Sequence, residues 1–483
     1  MMTKQDVIDW VEQHRQDFID MANTIWENPE LPHREFKTST MQAAYLEQQG
    51  FKITWEIGGL QTAFMAEWGE GKPVLGFIGE FDALPGLSQK NQPVKEALIE
   101  GTPGHACGHN LLGVGCLAGA LAAKGWLEQS GKPGTIRYYG CPAEENTYGK
   151  TFMARAGAFN DLDAAFNYHP SYLNFSSKAT AVGVYDLKFR FHGRSAHAGG
   201  SPHLGRSALD AVELMNVGVN YLREHVTSNV RMHYAITNGG DAPNIVPPEA
   251  EVWYFLRALE RAEHQSVLER VRKIARGAAM MTETSMEEIF RSACSPVLNN
   301  HYLADLQNTN LNLVGPLTYT EEELDYARTI NQGYPAENVS AMLASLKPPA
   351  ELVNRITAIK DEPLTGDIFP TLDVGVVETG STDVGDVSQI TPLSMLSTAC
   401  FANNTSGHSW GIVVSSRASF GHKGMLLAAK TMALTAIDCL DDPIHLEKAR
   451  AEFNKVTDGK PYQCPLPEDV QPPRYEKPTV INP

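Results

Sequence analysis

Val74-Leu75-Gly76-Phe77-Ile78 is apolar at every position, and that pattern narrows the folds open to the chain. A strand of this kind has no wet face, so it belongs inside a sheet covered on both sides, the usual setting of a parallel strand. Two more strand-like runs follow at 135–139 and 164–168. Between the first two, residues 111–127 are rich in Ala, Gly and Leu and predict a tightly packed helix. Strands alternating with helices predict an α/β layer with a largely parallel sheet. Ahead of them, Val7, Trp10, Val11, Phe18, Met21, Ala22 and Ile25 recur at helical spacing. They predict one amphipathic helix over residues 3–26, capped by Thr3 and ended by Pro29 and Pro32.

The texture changes near residue 180. Residues 184–191 alternate polar and apolar, as a strand with one wet face does. A helix over 207–225, strands over 230–236 and 251–257 and a helix over 262–280 are expected next. This set predicts a separate α+β unit of roughly one hundred residues, inserted into the first domain. From about 298 the chain returns to helical and loop patterns. Residues 311–369, rich in Pro, Asn and Thr, predict an extended surface excursion, and the tail after Pro461 is expected to lie along the surface.

The chain has 483 residues, too many for one ordinary domain, and 42% of them are apolar, enough for a large core. Its formal net charge of −17 argues against nucleic acid, which needs clustered Lys and Arg. No run approaches about 18 consecutive apolar residues, so no membrane span is expected. The opening Met1-Met2-Thr3-Lys4-Gln5-Asp6 lacks the basic and apolar regions of a secretion signal. Seven irregularly spaced cysteines argue against a disulfide framework and for a reducing, cytoplasmic compartment.

Four local patterns carry chemistry. In His105-Ala106-Cys107-Gly108-His109, a thiol and an imidazole two residues apart can share one small ion, with Gly108 allowing the turn between them. Cys141-Pro142-Ala143-Glu144-Glu145 places two carboxylates just beyond a strand, where open α/β sheets bind ligands and where one can hold metal while the other moves protons. Tyr168-His169-Pro170 ends another strand, and Ser406-Gly407-His408-Ser409-Trp410 lies in a late Gly/Asn/Ser-rich loop. Singly, each has a structural explanation: a buried Cys beside a capping His, two solvated glutamates, a packed histidine before proline. Together they assemble Cys107, His109, Glu145, His169 and His408, with Glu144 as a further carboxylate. His422 precedes a predicted helix and is expected to cap or pack.

The order Asp82-Ala83-Leu84-Pro85, His105-x-Cys107-Gly-His109, Pro142-Ala143-Glu144-Glu145 and His169 resembles the M20 metallopeptidase family, in its subgroup of amino-acid amidohydrolases. The resemblance spans nearly the whole chain. It implies an α/β fold class: a mixed-sheet di-metal catalytic domain, residues 1–180 plus 297–483, with an inserted smaller α+β lid (dimerisation) domain, residues 181–296. It further implies that Cys107, His109, Glu145, His169 and His408 hold two divalent metal ions, Mn or Zn, with Glu144 as general base and Asp82 orienting a ligand imidazole. Gly193-Arg194-Ser195-Ala196-His197-Ala198 resembles the family's lid motif, whose histidine, here His197, reaches the substrate carbonyl from the dimer partner. Asn244 and Arg257 match a lid asparagine and arginine near the substrate carboxylate.

The implied partners are a small N-acyl amino acid and a second subunit, as a homodimer or a heteromer with a paralogue, with neither nucleic acid nor membrane. Residues 201–210, 423–430 and 464–467 resemble one branch of the family, implying an aroyl- or acyl-linked acidic amino acid as substrate. Asn110 stands where the family usually has Asp, and Ser381-Thr382-Asp383-Val384-Gly385-Asp386 where many relatives have Glu-Asp-Phe. Both departures weigh against a hippurate-type substrate range, and the Asn form resembles relatives that cut β-alanyl dipeptides; β-alanyl dipeptides and indole-acetyl-amino acids are the alternative substrates. Aryl-amine deamination and a non-catalytic partner subunit are the alternatives from other classes.

Overall fold

Residues 2–335 and 337–477 are described by the computed structural model of the chain. In chain order its strands are β1 (Lys52–Trp55), β2 (Phe64–Glu70), β3 (Val74–Glu80), β4 (Gly134–Cys141), β5 (Ala164–Ser171), β6 (Phe175–Ser177), β7 (Thr180–Ala181), β8 (Gly183–His192), β9 (Arg231–Asn238), β10 (Glu249–Ala258), β11 (Ser285–Cys294), β12 (Val297–Leu298), β13 (Val377–Glu378) and β14 (Leu393–Ala399). Seven of them form one sheet in the order β1-β2-β4-β3-β5-β14-β6. β4, β3, β5 and β14 run parallel, and antiparallel strands close both sides. β3 is buried at all seven positions, so its unbroken apolar run ends up at the sheet's centre.

Helices His109–Ser130 and Ser419–Asp441 pack against each other on one face of this sheet, around Leu75, Phe77, Leu117 and Met432. Each such side chain contributes roughly 1.5–3 kcal/mol when fully buried. The pair packs closely: a Cβ on Gly119 would lie 3.2 Å from the Ala429 carbonyl oxygen. Helix His109–Ser130 has the length and composition of a membrane span, yet 89% of its most apolar window is buried inside the protein. On the opposite face, Ile78, Tyr139 and Ala165 meet Phe152 and Phe159, and one apolar cluster continues into the second sheet.

That second sheet, β11-β8-β10-β9, is antiparallel throughout and carries helices Ala208–Leu222 and Arg261–Thr282. The chain enters and leaves it side by side, because β7 pairs antiparallel with β12.

Several elements differ from expectation. The single helix over 3–26 is two, Lys4–Gln13 and Arg15–Glu27, broken at His14, whose ring Nδ1 bonds the Trp10 carbonyl (2.9 Å). Thr3 caps the first with a capping box to Asp6. β11 adds a strand to the inserted unit; a register shift between Phe290 and Ser292 hides its alternation. The region 311–369 is not extended. Leu311 lies in the helix His301–Val314, and Glu321–Asn331, Glu337–Ser345 and Val353–Ala358 are helical. A capping box between Thr320 and Glu323 opens Glu321–Asn331. The tail packs through Tyr462, whose hydroxyl donates to Asp386 (2.8 Å), and its last residues, 478–483, lie outside the described residues.

Candidate metal centre

The carboxyl ends of β3, β4 and β5 open on one edge of the sheet, the usual ligand edge of an α/β layer. β3 delivers Glu80 and, two residues on, Asp82. After β4, Ala143 takes a left-handed conformation (φ 60°), which turns the chain into the short helix Glu144–Thr147. β5 carries His169. Gly108 is left-handed as well (φ 79°), and a Cβ there would sit 2.9 Å from the Phe401 ring, so glycine is what lets Cys107 and His109 face one point.

The five expected ligands come together. Donor atoms of Cys107, His109 and His169 lie within 4.8 Å of one another, as do those of Cys107, Glu145 and His408, so the two groups share the thiol. The His109 and His169 imidazoles are each held through Nδ1. His109 Nδ1–H donates to Asp82 Oδ1 (3.0 Å) and His169 Nδ1–H to the Pro170 carbonyl (2.8 Å), which turns each Nε2 towards the other donors; His169 Nε2 lies 3.4 Å from Cys107 Sγ. Asp82 therefore stands behind a candidate ligand, and its other oxygen accepts the Glu145 N–H (2.9 Å). His408 Nε2 reaches to 3.6 Å from Glu145 Oε2; its side chain is 58% exposed, against 0% for His109 and 6% for Glu145. Among the described residues, His109 Nε2 and Glu145 Oε1 are buried without a hydrogen-bond partner. A buried polar atom left so costs roughly 1–3 kcal/mol, and a cation among these donors removes that cost.

Beneath lies a charged cluster that the motifs did not reveal. Lys150 Nζ contacts Glu80 Oε1 (2.8 Å) and Asp383 Oδ1, and the Lys150 N–H donates to Asp383 Oδ2 (2.7 Å), all fully buried. Burial alone would raise the Glu80 carboxyl, but Lys150 and His109 outweigh it and hold it below its ordinary value. Glu80 Oε2 faces His109 Nε2 at 3.4 Å, and Glu144 lies within reach of both. Burial, then the charges of Glu80 and Glu145, push the Glu144 carboxyl well above the usual carboxylate range. Asp383 belongs to the Ser381–Asp386 run. Asp386 in the same run accepts from the Thr151 (2.7 Å) and Ser295 (2.7 Å) hydroxyls.

A second support comes from the first loop. Glu35, fully buried, accepts the N–H groups of His33 (3.0 Å) and Ala143 (2.9 Å) and the Thr62 hydroxyl (2.8 Å). His33 Nε2 meets the Thr147 hydroxyl at the far end of the same turn. Burial, with Asp82 nearby, pushes the Glu35 carboxyl up to about 8.

The donor groups open into a cavity of about 600 Å³, whose wall includes Cys107, Glu144, Glu145, His169 and His408. Arg257, on β10, lines the same cavity and donates to the Ser381 hydroxyl (2.8 Å). Phe255, Met395, Leu396 and Phe401 supply apolar wall. Asn110 is not in that wall: it is buried, and its amide donates to the Ser416 carbonyl (3.0 Å). It therefore tethers the helix and meets no substrate from this cavity. His422 is buried against Asn23 (2.9 Å), as a packing residue.

Residues 181–280 match the model of the peptidase dimerisation domain of the M20 family. Over 470 residues the chain is 43% identical to one of the subunits of p-aminobenzoyl-glutamate hydrolase of Escherichia coli, covering 96% of this chain and 97% of that protein. The chain belongs to the M20 peptidase family. It is a metallo-amidohydrolase of the M20 type. Two solved structures share its fold. An aminobenzoyl-glutamate utilization protein from Klebsiella pneumoniae (TM-score 0.60, 17% identity) is matched over 89% of this chain and 97% of that one. A dinuclear metal-binding M20 peptidase from Bacillus subtilis (TM-score 0.55, 19% identity) is matched over 89% and 99%.

The part of the M20 chain matched to the dimerisation domain carries His197 and Asn244, and neither lines the cavity. They lie together on an exposed pair of segments, where His197 bridges Ile245 and the Ala198 N–H donates to the Asn244 carbonyl (3.0 Å). The His197 ring is preset: Nδ1 accepts the N–H groups of Gly199 (3.1 Å) and Gly200 (2.9 Å), so Nε2 carries the proton and points a donor outward.

Proposed function

We propose that Cys107, His109, Glu145, His169 and His408 hold two divalent metal ions, Zn or Mn, and that the chain hydrolyses the amide bond of an N-acyl amino acid, with p-aminobenzoyl-glutamate the first substrate to test. One observation carries this reading: Cys107, Glu145, His169 and His408 line one cavity with Glu144 and Arg257, and His109 lies buried behind its wall with its Nε2 within 4.8 Å of the Cys107 and His169 donor atoms. A thiolate favours Zn, and imidazole and carboxylate suit either metal. Two ions held there would supply Lewis acidity to the amide carbonyl and to the attacking water. Glu144, in the cavity wall beside the donor groups, takes the water's proton and passes it to the leaving nitrogen. The Arg257 fork fits a substrate carboxylate, and the apolar wall suits an aryl group.

Residues 1–180 plus 297–483 serve as the catalytic domain and 181–296 as the lid. Leu214, Val217 and Tyr221 form an exposed apolar row on helix Ala208–Leu222, beside Tyr234 and Ile236 on the edge strand β9. An open edge with an apolar flank is what a second subunit would cover, and a two-fold pairing there would offer His197 and Asn244 to the neighbour's cavity. That neighbour is a second copy or a paralogous subunit. The seven free thiols suit a reducing, cytoplasmic setting.

The test is product analysis with metal-loaded protein on p-aminobenzoyl-glutamate, N-acyl aspartates and β-alanyl dipeptides. Release of glutamate from the first is expected. Ammonia as product would mean deamination, and glutamate release only after adding a paralogous subunit would make this chain the helper.

A further inference from the structure

Residues 315–370 take no part in the chemistry described so far, yet they grip the loop that carries His408. Before the histidine, the Asn403 amide donates to Thr365 Oγ1 (2.8 Å) and to the Glu362 carbonyl (3.0 Å). The Asn404 N–H donates to Asn331 Oδ1 (2.9 Å), and Asn404 Oδ1 accepts the Val339 N–H (3.2 Å). After the histidine, the Tyr334 hydroxyl sits between Ser409 Oγ (2.6 Å) and the Gly411 N–H (2.7 Å). The Tyr334 and Trp410 rings stack at 5.2 Å and 12°. The contact is reciprocal. A Cβ on Gly411 would lie 2.6 Å from the Tyr334 hydroxyl, and one on Gly333 would lie 2.4 Å from the Trp410 ring. Each aromatic rests on the other segment's glycine, so neither segment can shift alone.

His408 needs such a hold. Of the five candidate ligands it alone is largely exposed, and its backbone is left-handed (φ 51°), unlike most non-glycine residues. We propose that residues 315–370 act as a clamp that positions His408 for its metal ion, with Tyr334 as the principal positioning residue. The inference rests on His408 being a metal ligand, as proposed above.

Metal titration of the full-length apoprotein, followed by calorimetry and elemental analysis, tests it without reference to activity. The wild type is expected to hold two ions per chain and His408→Ala one. Tyr334→Phe keeps the ring and removes one hydroxyl; it should weaken the looser ion roughly tenfold or more, the usual cost of losing a group that orients a ligand, and leave the tighter ion alone. Gly333→Val, which drives a side chain into Trp410, should do the same or more. Arg328→Ala is the control, because among the described residues Arg328 forms its ion pairs with Asp325 and Glu321 of its own helix. Unchanged affinities in folded Tyr334→Phe, or an equal loosening of both ions, overturns the clamp. Two ions retained by His408→Ala would instead overturn the ligand assignment itself.

Discussion

Glu144 and Glu145 are adjacent in sequence and have opposite surroundings. Glu144 turns inward towards Glu80, while Glu145 faces Cys107 and His408. Glu144→Gln keeps the shape and loses the proton acceptor, so kcat should fall by about 10²–10⁴ with metal content unchanged. Glu145→Gln should instead lose metal. Steady-state kinetics with elemental analysis separates the two, and a reversed pattern would exchange their roles. Lys150 offers a test of the buried cluster. Lys150→Met removes the buried ammonium that Glu80 and Asp383 share and should destabilise the fold by about 3–5 kcal/mol, read from denaturant unfolding. The candidate ligands were legible because metal chemistry restricts residue type, and local spacing shows where Cys107 and His109 must turn. Glu35, Lys150 and Asp383 were not, because their contacts join positions 108 and 233 residues apart and no local pattern marks either end.

The inserted sheet raises its own question, since His197 and Asn244 sit outside the cavity of their own chain. If they serve a neighbour, a mixture of His197→Ala and Glu144→Gln subunits should recover measurable activity that neither variant has alone. Each mixed dimer then holds one site with both groups intact. Exchange must be verified by native mass spectrometry; mixed dimers that form and stay inactive would show that His197 does not act across the interface. Tyr221→Asp, on the exposed row, should shift the assembly towards monomer in sedimentation. At this scale the sequence read well wherever periodicity ran unbroken, as in β3 and helix His109–Ser130. It read poorly where geometry interrupts the period: the register shift in β11, the break at His14, and the short helices within 311–369 separated by prolines.

Across the whole molecule, burial keeps several histidines neutral. It pushes His33, His264 and His422 down to about 4 and His105 down to about 3. Unfolded, each would titrate near its ordinary 6.5. Between pH 6.5 and 4 the unfolded chain binds protons that the folded chain refuses, so stability is full above that window and falls as pH drops through it. The Tm should decline steeply over this range. His264→Gln, which keeps a donor for the Leu256 carbonyl, should flatten the decline by removing on the order of 3 kcal/mol of pH-dependent stability. An equally steep decline in that variant would show that other groups set the acid limit.

The large sheet is not assembled in the order in which its strands are made. β5 and β6 follow one another along the chain, but β14 lies between them in space. On the ribosome that gap stays open while the inserted unit and the 315–370 segment are synthesised. For all that time β5 exposes a row of unsatisfied amide and carbonyl groups, the template on which foreign strands add. Closure waits for a late, non-local pairing of the slow-forming parallel kind. A nascent chain stalled before residue 393 would thus carry most of its helices and both ends of its inserted unit, and still be an aggregation-prone intermediate in need of a chaperone.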